Sequence, residues 1–169
     1  MEESFGTITE FAVALAGFSA VSIALSRNPG DMAPLDRFRA LNILSCSLGS
    51  AFGSTFVPMG AAYGVSGPAL WRGTSLGVLL VVIVCIAIPL SLTRRLSSTD
   101  RGRLSATLWV LLIGGNVVLT GLLLSNITGW FGAQGPGPIM VSLVWPLFFS
   151  ALLFVRILVN RPDQVGAQE

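Results

Sequence analysis

Charged residues divide this chain into long uninterrupted apolar runs. No charge occurs in the 16 residues between Glu10 and Arg27, the 32 between Arg39 and Arg72, the 21 between Arg72 and Arg94, or the 52 between Arg103 and Arg156. A helix needs roughly 20 apolar residues to cross about 30 Å of hydrocarbon at about 1.5 Å per residue. Only helices or closed barrels satisfy every backbone hydrogen bond in lipid. The runs lack the sustained two-residue alternation of a barrel strand, so they predict helices. A single helix over the 52-residue gap would be about 78 Å long, so that gap holds two helices and a turn. The pattern predicts an all-α integral membrane bundle, one domain with five spans at about 7–26, 38–63, 74–93, 104–125 and 139–159, and a polar tail over 160–169.

The connectors carry turn chemistry. Asn28-Pro29-Gly30-Asp31-Met32-Ala33-Pro34, Gly64-Val65-Ser66-Gly67-Pro68 and the stretch from Asn126 to Pro138 are rich in glycine and proline, which read as turns and loops. The segment from Arg94 to Arg103 is the most polar, with an N-cap expected at Ser98 or Thr99. Pro58, Pro89 and Pro146 interrupt spans, where proline removes a backbone donor and kinks a helix. The first span resembles a signal peptide in length alone. It begins Met1-Glu2-Glu3, and its first positive charge, Arg27, follows the apolar run; a signal peptide has the reverse order. It reads as a retained helix, with Glu10 near its first turn, where the helix dipole favours a carboxylate.

Wheel projections at about 100° per residue divide two spans by side-chain size. In the second, Leu41, Leu44, Leu48, Phe52 and Phe56 gather on one face, opposite Asn42, Cys46, Gly49, Ser50, Gly53 and Ser54. In the first, Ala12, Ala16, Ala20 and Ala24 oppose Phe11, Leu15, Phe18 and Leu25. Small residues let helix backbones approach and hydroxyls bond across the contact, so the two small faces are expected to pack together. The alternative is a water-filled path lined by Asn42, Ser50 and Ser54. Asn116 is the deep amide of the fourth span, read either as an interhelical hydrogen bond or as a solute contact.

Composition sharpens this picture. The chain is 53% hydrophobic and 11% charged, against about 25% charged in soluble domains. All ten basic residues are Arg, a bias that hints at a GC-rich bacterial genome. They flank apolar runs, the pattern of membrane boundaries and not of a nucleic-acid surface. With the amino terminus outside, nine of ten Arg fall on the inner side and Arg72 alone outside, as the positive-inside rule requires. Trp71 and Trp130 then mark the outer interface, Trp109 the inner one, and Trp145 needs a helix neighbour. Cys46 and Cys85 sit in apolar runs and read as small hydrophobes.

Without His or Lys, there is no Schiff-base lysine, no Ser-His or Cys-His pair, and no histidine-based haem or zinc site. Phosphate-cradling glycine motifs are missing. The sequence therefore predicts no cofactor, metal or catalytic site and offers no residues for an enzyme. Asn126-Ile127-Thr128 matches a glycosylation sequon, a pattern too common to weigh.

Ala16-Gly17-Phe18-Ser19-Ala20-Val21 with Arg27, Asp36-Arg37-Phe38-Arg39, Ser47-Leu48-Gly49 with Pro58, and Trp71-Arg72 resemble a family of small bacterial multi-pass membrane proteins. The resemblance covers roughly the first 75 residues and implies the architecture and a bacterial inner-membrane location, with no activity attached. Two functions lead as expectations, with an enzyme acting through a substrate-assisted or unfamiliar site the weakest of three readings. One is a homo-oligomeric pore or small-solute/ion transport protein, whose polar path would use Asn42, Cys46, Ser50, Ser54 and Asn116, with Glu10 as an outer ring. The other is an accessory subunit packed against a membrane partner.

Overall fold

The computed structural model describes residues 2–24, 34–94, 106–130 and 134–159. They form five helices: α1 (Glu2–Ala24), α2 (Pro34–Ala62), α3 (Gly67–Thr93), α4 (Ala106–Thr128) and α5 (Pro136–Val159). Each is long and apolar enough to cross a membrane, and no strand occurs among the described residues. The chain is an all-α membrane bundle. Arg27, Arg95, Arg101, Arg103, Arg161, the Ser98/Thr99 cap and the tail 160–169 lie outside the described residues.

Helices α2, α3 and α5 start earlier than the apolar runs suggest, and proline is the reason. Pro34 opens α2, Pro68 lies in the first turn of α3, and Pro136 and Pro138 lie in the first turn of α5. First-turn amides have no intrahelical acceptor, so proline loses nothing there and its fixed φ suits the helix. What reads as a loop is thus partly a helix start. Glycine supplies the stops. Gly64 adopts φ +76°, its N–H donates to Ala61 O at 2.9 Å, and Val65 N–H donates to Gly60 O at 3.0 Å, a Schellman closure of α2. Gly129, at φ +71°, ends α4 the same way, with Trp130 N–H on Ser125 O at 3.2 Å. Helix α4 therefore runs through Asn126-Ile127-Thr128, which the sequence reading assigned to the break.

Neighbouring helices run antiparallel. Helix α2 is central and packs against α1, α3 and α5; α4 packs against α3 and α5. The core holds Phe5, Val57, Val78, Val82, Leu123, Ile139 and Leu143, with Ala12, Leu15, Ala51 and Leu147 beside them. Ile43, Phe149 and Leu153 fill the other end. Ala12 and Ala16 are buried as expected, and Phe11 and Phe18 face outward. Leu15 and Ala20 depart from their expected sides: Leu15 is buried against Ala51 and Leu147, and Ala20 is exposed.

The glycines of α2 do not face α1. A Cβ at Gly49 would lie 2.6 Å from Cys85 Sγ and 3.0 Å from Val81 of α3, and one at Gly53 would lie 2.5 Å from Leu143 Cδ2 of α5. The small face of α2 thus serves three neighbours at once, and α1 takes the part bearing Ala51 and Ser54.

Candidate functional site

The polar side chains of α2 converge inside the bundle. Asn42, Cys46, Ser50 and Ser54 are all buried, because they lie on the side of α2 that packs against its neighbours, opposite its outward large face. Ser50 Oγ donates to Leu143 O of α5 at 2.9 Å. Ser54 Oγ lies 2.6 Å from Thr9 Oγ1 of α1 and donates to Ala51 O at 2.7 Å. Cys46 Sγ donates to Asn42 Oδ1 at 3.6 Å, one turn away on its own helix. From the neighbours, Cys85 Sγ reaches Ser45 O at 3.4 Å and Ser150 Oγ reaches Ile43 O at 3.5 Å. Ile43 O is the carbonyl one turn before Ser47, whose buried hydroxyl has no partner among the described residues. Both cysteines are free thiols.

A small cavity sits at the meeting point of α2, α3, α4 and α5. Its polar lining is Cys46, Ser50, Cys85, Asn116 and Ser142, and its volume is about 20 Å³. A space of that size holds one water molecule, which needs about 10–15 Å³ and two to four polar partners. It is too small for an organic solute. Of the residues singled out by sequence, the structure brings Cys46, Ser50 and Asn116 together here. Asn42 stands one turn away, Ser54 bonds to α1, and Glu10 is exposed on the far side of α1. Asn116 spends its Nδ2 on Leu112 O of its own helix at 2.6 Å. Trp145 finds the neighbour it requires: its indole lies over Gly115 of α4, where any Cβ would collide with the ring.

One side of this cavity, formed by Gly49, Val81 and Cys85, also belongs to an open apolar groove between α2 and α3. Leu48, Phe52, Phe56, Leu80, Val84 and Ile88 line it, so the large face of α2 turns outward as its wheel predicts. Large apolar residues face outward from every helix, among them Phe18, Phe52, Leu80, Val117 and Phe148.

A second polar cluster lies near the α4–α5 turn, and sequence reasoning missed it. Asn126 is buried. Its Nδ2 donates to Ser75 Oγ of α3 at 2.8 Å and to Gly135 O at 3.1 Å, while its Oδ1 accepts from Gly135 N–H at 3.0 Å. The reciprocal pair with Gly135 pins the start of α5 to the end of α4. Beside it, with the Gln134 amide oxygen turned towards the guanidinium, Arg72 donates from Nε at 2.7 Å and Nη2 at 3.0 Å. The sequence signal was present as an Asn one turn before a glycine stop, but its partner Gly135 lies nine residues on and no local pattern names it.

Comparison of the chain with family models, curated proteins and solved structures gave no match.

Proposed function

We propose that this protein is an accessory subunit of a membrane complex, acting through helix-to-helix contact with a partner. The observation that carries this reading is the fate of the α2 polar face. A path around an oligomer axis needs those groups at a shared surface. Ser50 and Ser54 are instead buried and bonded to α5 and α1 of the same protomer, the role of polar residues that hold membrane helices together. Apolar side chains project from all five helices, and the α2 hydroxyls of Ser50 and Ser54 are spent on the bundle's own assembly. The membrane we infer is the bacterial inner membrane, from the all-Arg usage and the family resemblance. The amino terminus outside follows from the Arg asymmetry.

The test is the mass of the complex extracted from its own membranes in mild detergent, together with flux in liposomes. The expected result is co-purification with a second polypeptide at fixed stoichiometry and no solute or ion flux from the purified chain. A chain that purifies alone as a homo-oligomer, with flux that changes when Ser50 is replaced by Leu, overturns the accessory reading in favour of the pore.

A further inference from the structure

Glu10 occupies a position that the packing of this bundle does not account for. Three measures place it within the apolar span and past its first turn. It is the eighth residue of a 19-residue apolar span, Glu3–Val21, about 10 Å from the start of that span. Its neighbour Thr9 contacts Ser54, which lies about 12 Å of helix before the end of α2 at Ala62. Phe5, more than a turn nearer the amino terminus, is already 1% exposed and packed with Val57, Val78 and Ile139. The sequence reading set Glu10 near the first turn, but α1 begins at Glu2, so Glu10 falls in its third turn.

The side chain faces away from the bundle and has no hydrogen bond or ion pair among the described residues. An ionisable group facing hydrocarbon is costly unless a neighbour pairs with it. The surface around it is shaped for a neighbour. On a wheel of about 3.6 residues per turn, Gly6, Ala14 and Gly17 lie within about 40° of Glu10, all exposed. A Cβ at Gly6 or Gly17 would meet nothing within 4 Å. Phe11 and Phe18 rise along one side of this shallow track. Around its middle this face presents only the hydrogen atoms of Gly6 and Gly17, the methyl of Ala14 and the Glu10 carboxylate, with Glu3 and Val21 exposed towards its two ends. Small residues allow a backbone to approach closely in lipid, and the carboxylate fixes what that backbone must carry.

We propose that the outward face of α1, centred on Glu10, docks a transmembrane helix of another protein bearing a basic residue at the matching depth. Charge selects this occupant over a second copy. A two-fold contact across α1 would oppose two Glu10 carboxylates, which repel. Among the described residues a copy has no cation to offer at this level either: Arg72 lies near the helix ends and is engaged by Gln134, and Arg39, Arg94 and Arg156 belong to the opposite end of the bundle. This proposal rests on the accessory-subunit reading and names its contact surface.

The full chain, with Cys46→Ala and Cys85→Ala and a donor dye on Ser66→Cys, is reconstituted in phosphatidylcholine liposomes. The probe is a synthetic Leu/Ala helix of about 20 residues with one central Arg and an acceptor dye; the control helix has Leu in place of Arg. Energy transfer is expected to report binding of the Arg helix about tenfold tighter than the control. Glu10→Gln should abolish that preference, Gly17→Leu should weaken binding of both helices, and Phe18→Ala should leave it unchanged. Thermal unfolding of each variant at the wild-type temperature shows that the bundle is intact. Equal binding of the two helices to wild type, an Arg preference that survives Glu10→Gln, or self-association of labelled copies that Glu10→Gln does not alter overturns the proposal. A Glu10→Gln chain that keeps its partner in native membranes overturns this surface alone, whereas a wild-type chain without any partner there overturns the accessory reading beneath it.

Discussion

Asn116 and Asn126 are both amides of α4, and their partners separate them. Asn116 Nδ2 turns back to Leu112 O of its own helix, a bond that ties no second element. Asn126 joins Ser75 of α3 and both backbone groups of Gly135. Removing one partner of a buried pair leaves the other unsatisfied, at about 1–3 kcal/mol. Asn126→Ala should therefore destabilise the bundle by about that amount, because the Gly135 N–H and C=O lose their acceptor and donor together. Asn116→Ala should stay within about 0.5 kcal/mol of wild type, the usual range where no tertiary contact is lost. Thermal unfolding in detergent measures both, and equal effects would mean that the clamp does not hold the α4–α5 turn. The sequence reading chose Asn116 for its depth and passed over Asn126 as part of a sequon. Depth can be counted along a chain. A carbonyl that returns to the helix end after a glycine turn cannot, since it depends on the path of the turn.

At the scale of elements, the number and type of helices were legible because a bilayer demands about 20 apolar residues at a stretch, and the charges mark where each stretch ends. The helix starts were less legible: Pro34, Pro68 and Pro136 suit a first turn as well as a loop, and only the fold says which. Wheel faces were legible for α2, where size and polarity change together, so that Phe52 faces out and Ser50 faces in. They were ambiguous for α1, whose small residues occur on both sides: Ala12 and Ala16 pack inward, while Ala14 and Gly17 face out. Which neighbour each small residue meets was not readable at all. Gly114 and Gly115 make the point, since they are adjacent and equal in sequence terms. A Cβ at Gly114 meets nothing within 4 Å, while one at Gly115 lands on the Trp145 indole, a rigid ring that cannot swing aside inside a packed contact. Gly114→Ala should stabilise α4 by up to about 1 kcal/mol through helix propensity. Gly115→Ala should destabilise by about 1–3 kcal/mol, as overpacking does, and should shift Trp145 fluorescence. A Gly115→Ala protein with unchanged melting temperature and emission would show that α4 and α5 are not held at this distance.

For the whole molecule, five antiparallel spans set two ends against each other. The amino end of α1, the turn at residues 63–66 and the turn between α4 and α5 share one end; the starts of α2 and α4 and the ends of α1, α3 and α5 share the other. Arg72 belongs to the first end, and Arg39, Arg94 and Arg156 belong to the second. Arg37 lies in the first turn of α2 at the second end, and Arg27, Arg95, Arg101, Arg103 and Arg161, outside the described residues, follow or precede helix ends of that side in the sequence. Short basic loops are retained on the cytoplasmic side, so the proposed orientation predicts which end an impermeant reagent reaches. Cysteines at Ser66 and Ser98, in a background of Cys46→Ala and Cys85→Ala, probe the two ends. An impermeant maleimide applied to intact cells should label Ser66→Cys and spare Ser98→Cys until the membrane is opened. The reverse pattern would invert the bundle, and labelling of both in sealed cells would remove a span from it. The outcome also bears on Glu10. If Ser66→Cys is the accessible site, the α1 carboxylate lies in the outer half of the membrane, and the basic residue of its partner must be sought in the outer half of a span.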